Sequence, residues 1–165
     1  MENNAEIVGR LRSGEPEVVE AAVREVREKG DLEVAAALLG CLGELGEGRL
    51  ATTVCNLLAD VRDSRFRALL MERLEASRDE GERCALMRVV WESALDYSAY
   101  LEVFLRLLEE GEFAVAFEAS TVIENMVHHL SAEQRERLHG VIHGFPEEKR
   151  FLVENIYGEM ECGEE

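Results

Sequence analysis

The sequence predicts an all-α protein of stacked helix pairs, and three observations carry this. Apolar residues recur at helical spacing through the central stretch 81–125. Strict alternation of β-branched residues is absent. The only two prolines, Pro16 and Pro146, each open a periodic run, the favoured first turn of a helix. Turn signals also return at nearly constant steps. The second residues of Glu15-Pro16, Glu47-Gly48, Glu80-Gly81, Glu110-Gly111 and Phe145-Pro146 stand 32, 33, 30 and 35 residues apart.

The elements follow in order. A short leading helix is expected over 5–12. The first pair is 16–29 (Val19, Ala22, Val23, Val26) with 32–45 (Ala35, Leu38, Leu39, Leu42). Glycines 40, 43 and 46 weaken the end of the second helix by roughly 1 kcal/mol each relative to alanine. The next pair is 49–61 (Val54, Leu57, Leu58) with 65–76 (Phe66, Leu69, Leu70, Leu74). The third is 82–95, with the stripe Cys84, Met87, Trp91, Ala94 and Leu95, and 98–110, with Tyr100, Leu101, Phe104, Leu105 and Leu108.

The fourth pair begins with 112–129. One of its stripes is Phe113, Ala116, Phe117, Ser120 and Ile123; the other is Val115, Ala119, Val122 and Met126. A helix apolar on two sides is expected between neighbours. Its partner is 132–143 (Leu138, Val141, Ile142), and 146–160 (Leu152, Val153, Ile156) closes the stack as a charged cap. Asp31, Asp63 and Asp96 each lie 15 residues after a turn residue, where a carboxylate accepts backbone N–H bonds from the next helix. Ser131 takes that place in the last pair. The expected organisation is one domain over 1–165, with repeats at 16–47, 48–80, 81–110 and 111–145 and a capping helix at 146–160.

Paired helices with an aspartate at the inner turn and a period near 32 resemble HEAT repeats, in the compact form of the HEAT-like repeats of phycobilin lyases. The segment WESALDYSAYLEVFLRLLEEGEFAVAFEASTVIEN is also similar to small bacterial HEAT-repeat proteins. The tetratricopeptide and ankyrin signatures are absent. The resemblance implies a right-handed α-α superhelix, an armadillo-like solenoid of about 4–5 helix pairs.

Charge narrows the partners. The chain carries -17, unevenly spread: residues 1–61 hold 6 basic and 12 acidic side chains, 62–88 hold 7 and 6, and 89–165 hold 5 and 17. This field repels nucleic acid and anionic membranes and suits a basic partner. The N-terminus has neither a basic n-region nor an apolar h-region. Cys41, Cys55, Cys84 and Cys162 form no CxxC, and the first three sit in apolar stripes. A reduced, cytoplasmic protein is expected.

Chemical constellations are sparse. His139 and His143 have the i, i+4 spacing of a metal pair, with His128, His129 and Glu136 nearby; they are read as surface histidines, with no metal. Glu118, Glu124 and Asn125 lie on 112–129. They are read as structural, since no nucleophile accompanies them. The arginines of 62–88 interleave with carboxylates as ion pairs; an anion-binding patch is the alternative. HEAT-like deoxyhypusine hydroxylases bind iron through His-Glu dipeptides, and none occurs here. HEAT-like alkylpurine glycosylases need a basic groove, which the charge opposes.

Six of the ten aromatics lie between Trp91 and Phe117. Most are read as core, with Tyr97 and Tyr100 as interface anchors beside the Asp96 turn. The resemblance places the second helix of each pair on a concave face. The candidate partner-binding residues are therefore Glu33, Arg73, Tyr97, Tyr100, Glu102, Arg106 and Glu109. The expected function is a non-enzymatic protein- or peptide-binding scaffold that needs no cofactor. One alternative is an enzyme or ligand carrier with a pocket near Glu118 and Asn125; another is a structural homodimer.

Overall fold

The computed structural model describes residues 4–29, 32–44 and 48–162. Asp31, Leu45 and Gly46, and the side chains of Cys41 and Cys162, lie outside the described residues. Among the described residues every regular element is a helix. The chain divides into two compact units, Met1–Leu95 and Asp96–Glu165, so the expected third repeat is shared between them.

The first unit contains α1 (Asn4–Leu11), α2 (Pro16–Lys29), α3 (Leu32–Cys41), α4 (Arg49–Ala59), α5 (Phe66–Ala76) and α6 (Glu80–Glu92). A 3-10 turn, Leu42–Glu44, follows α3, in the glycine-rich stretch where the sequence weakens the helix. The helices pack in two rows, α1–α3–α5 and α2–α4–α6, and the rows touch through α1/α2, α3/α4 and α5/α6. Leu38, Leu58, Phe66, Leu70, Met71, Leu74, Leu86 and Met87 fill the space between them.

The α6 stripe is rotated from expectation. Leu86, Met87, Val89 and Val90 are buried, whereas Cys84 and Trp91 are half-buried and Ala94 is exposed. The helix stops at Glu92 because Ser93 turns extended and its hydroxyl accepts the Leu95 N–H at 3.0 Å. It starts two residues early because Asp79 caps it, accepting the Glu82 N–H at 2.9 Å.

The second unit contains α7 (Leu101–Glu110), α8 (Phe113–Met126), α9 (Ala132–His143) and α10 (Glu154–Cys162). Short 3-10 segments run over Ser98–Tyr100, Val127–His129 and Glu147–Leu152. The α7/α8 hairpin turns tightly at Gly111, where a Cβ would lie 2.5 Å from the Leu107 carbonyl oxygen and against Val115. On the other side α8 packs against α10 and the 147–152 segment. The helix expected over 146–160 therefore changes winding at Val153, whose N–H bonds back to the Arg150 carbonyl in the 3-10 pattern.

The inner-turn caps behave as the sequence predicts where they are described. The Asp63 carboxylate accepts the Arg65 N–H at 3.0 Å, and that of Asp96 accepts the Ser98 N–H at 2.8 Å. Hydrogen bonds from Arg65 hold the Asp63 carboxyl below its ordinary range. Ser131 and Gln134 form a reciprocal capping box at the start of α9. Gln134 also donates to the Ser98 carbonyl at 2.8 Å, tying α9 to the 3-10 segment that precedes α7.

Candidate functional site

The site begins with the arc that α8 buries. Val115, Ala116, Ala119, Ser120, Val122, Ile123 and Met126 span about 160° of its circumference at about 100° per residue. This single broad face replaces the two expected stripes. Phe113 and Phe117 fall beyond its edge and are 65% and 51% exposed. Neither is core, because the covering elements reach only as far as the arc.

The third member comes from the 3-10 segment. Phe151, in the polar run EEKRF, is 51% exposed and lies with its ring centroid 5.9 Å from that of Phe113. Phe113 and Phe117 stack one turn apart, centroids 6.1 Å apart. Phe113 thus links the other two rings into one cluster facing water. Fully burying such a side chain is worth about 1.5–3 kcal/mol, and these rings, already partly covered, leave roughly half of that unrealised. Glu110, Glu112, Glu147, Glu148, Lys149 and Arg150, all exposed, are close to these phenylalanines in sequence.

Further along α8 the same edge becomes acidic. Glu124 lies seven residues beyond Phe117, 20° short of two full turns. Partial burial, and then the like charge of Glu159 on α10, push the Glu124 carboxyl above its ordinary range. The Glu159 carboxylate lies 3.3 Å from His128 Nε2.

The residues expected to bind a partner scatter. Glu33 and Arg73 belong to the first unit and the other five to the second. Tyr97 is buried at 2% exposure, its ring 6.3 Å from that of Tyr100, and presents no surface. Tyr100 is half-buried and keeps the expected access. Arg73, only partly exposed, is held by Glu82, with Nε at 2.7 Å and Nη2 at 3.3 Å from its carboxylate oxygens. Glu102 pairs with Arg137 at 3.0 Å. Arg106 and Glu109 are exposed, and Glu109 lines a shallow groove of about 370 Å³ with Arg137 and Lys149.

The remaining constellations carry little chemistry. The His139 and His143 rings stack at 6.2 Å, and among the described residues no group of three or more His, Cys, Asp or Glu is placed to hold a metal. Asn125 is exposed and donates to the Thr121 carbonyl of its own helix at 2.8 Å. Burial raises the Cys55 thiol and keeps it protonated. Among the described residues no helix is long and apolar enough to cross a membrane.

Sequence reasoning assigned Phe113 and Phe117 to the core and passed over Phe151. The available signal was arithmetic: two full stripes on one helix exceed what two neighbours cover. Comparison with family models, with curated proteins and with solved structures returns no match.

Proposed function

We propose that the chain is a non-enzymatic module that binds a protein or peptide, built as a HEAT-like stack of helices. The observation that carries this reading is the cluster of Phe113, Phe117 and Phe151, three rings linked through Phe113 and each more than half exposed. The row packing of α1–α3–α5 beside α2–α4–α6 supports the helical-repeat reading, since each helix touches its next-but-one neighbour. The net charge of -17 favours a protein partner over nucleic acid or an anionic membrane.

Binding centres on the aromatic cluster rather than on the expected concave-face set, because Arg73 and Glu102 already have charged partners within the chain. The test is affinity capture from native lysate with three baits: wild type, Phe113→Ser/Phe117→Ser and Glu102→Lys/Arg106→Glu. A stoichiometric partner lost only by the phenylalanine variant supports the reading. A partner lost only by the charge variant returns the site to α7. No partner with any bait overturns it.

A further inference from the structure

The aromatic cluster does not stand alone on α8. Phe113, Phe117 and Glu124 occupy one edge, so rings and carboxylate form a single strip along the helix. At 1.5 Å per residue Glu124 lies about 10.5 Å beyond Phe117. Glu159 joins it from α10, 3.3 Å from His128 Nε2, and burial and then the like charge of Glu159 push the Glu124 carboxyl above its ordinary range. His128, which faces Glu159, is charged only when protonated.

The other end of the strip carries both signs, with exposed Glu110, Glu112, Glu147 and Glu148 close in sequence to the phenylalanines. Lys149 and Arg150 immediately precede Phe151, and both are exposed. The strip is therefore net acidic at this end and acidic again at Glu124 beyond Phe117. It sits in a strongly acidic setting, since residues 96–165 hold 16 acidic and 5 basic side chains.

Resting on the reading above, we infer that the occupant of this strip is a basic peptide segment. Its apolar anchor covers Phe113, Phe117 and Phe151, and a lysine or arginine about 10 Å further along seats between Glu124 and Glu159. If the segment is helical, anchor and cation stand seven residues apart. The cation meets acidic side chains from α8 and α10, so it adds affinity where a neutral side chain adds none. A second copy of this chain is the poorer occupant, because two such faces oppose like charge.

The test pans a random dodecapeptide phage library against the full chain and synthesises the consensus peptide. Binding is then read by fluorescence anisotropy. Enriched peptides should carry an apolar anchor and an excess of Lys and Arg. Affinity should fall roughly tenfold or more in Phe113→Ser/Phe117→Ser and about fivefold in Glu124→Gln/Glu159→Gln, with the salt dependence weakened in the latter. Circular dichroism checks that both variants fold.

Neutral or acidic consensus peptides that still need the phenylalanines overturn the basic occupant and leave the interaction site standing. So does binding unchanged in Glu124→Gln/Glu159→Gln. Peptides that ignore both variants overturn the strip altogether. No enrichment overturns the binding function with it. A dimer by light scattering that dissolves in Phe113→Ser/Phe117→Ser makes a second copy the occupant.

Discussion

The carboxylate of Glu82 occupies the space that a side chain on Gly43 would need. Glu82 is only 8% exposed, and Arg73 grips it through two nitrogens. A glycine in the turn after α3 thus accommodates an ion pair between α5 and α6. Glycine to alanine usually favours helical geometry by up to about 1 kcal/mol. Here the sign should reverse. Gly43→Ala must push the carboxylate off Arg73, at a cost of about 1–2 kcal/mol once the partial exposure of the arginine is allowed for. In a Glu82→Ala background the penalty should vanish. Urea unfolding of both singles and the double completes the cycle. A penalty unchanged by Glu82→Ala would refute the coupling.

The phenylalanines divide into two classes that sequence does not separate. Phe104 is fully buried, and Phe104→Ala should cost about 3–5 kcal/mol. Phe113→Ser/Phe117→Ser removes exposed rings and should change stability by less than about 1 kcal/mol. Chemical denaturation of the two variants side by side checks this. Comparable losses would mean that the α8 edge is core.

Glu124 makes stability depend on pH in a definite direction. Its folded carboxyl is raised above 4.5 by burial and by Glu159. The folded state therefore holds the proton more tightly than the unfolded chain. Below 4.5 both states are protonated and nothing is lost. As pH climbs from 4.5 through the raised folded value, the charge must form beside Glu159 and stability declines. Glu124→Gln removes that decline, so it should gain on wild type between pH 4 and pH 7. Equal pH slopes for the two proteins would contradict this.

The α9 start depends on its capping box. Ser131 accepts the Gln134 N–H at 3.1 Å, and the Gln134 side chain accepts the Ser131 N–H at 3.0 Å. Ser131→Ala should cost about 1 kcal/mol, and Ser131→Asp should restore most of it. Thermal unfolding of the pair measures both, and an unaffected Ser131→Ala would show that tertiary contacts alone hold the helix start.

Much of the helical framework was legible residue by residue. Pro16 opens α2, and Ser131 caps α9, because each signal is local and needs only its own turn of backbone. Boundaries slipped where side chains compete for backbone groups. Ser93 stops α6 early, and Asp79 starts it early. Tyr97 and Trp91 shared an apolar stretch, yet one is buried and the other half-exposed. Spacing gives a residue's angle around its helix and says nothing of how far a neighbour reaches.

Sequence alone therefore determined that this chain is all-helical, strongly acidic and punctuated near every 32 residues, since periodicity, charge and turn chemistry are properties of short segments. Only the tertiary structure decided that Phe113, Phe117 and Phe151 face water together, that Arg73 pairs with the buried Glu82, and that Glu124 feels the charge of Glu159. Each of these depends on elements separated along the chain coming to lie side by side. The width of surface one helix covers on another is set by that packing, and no local pattern records it.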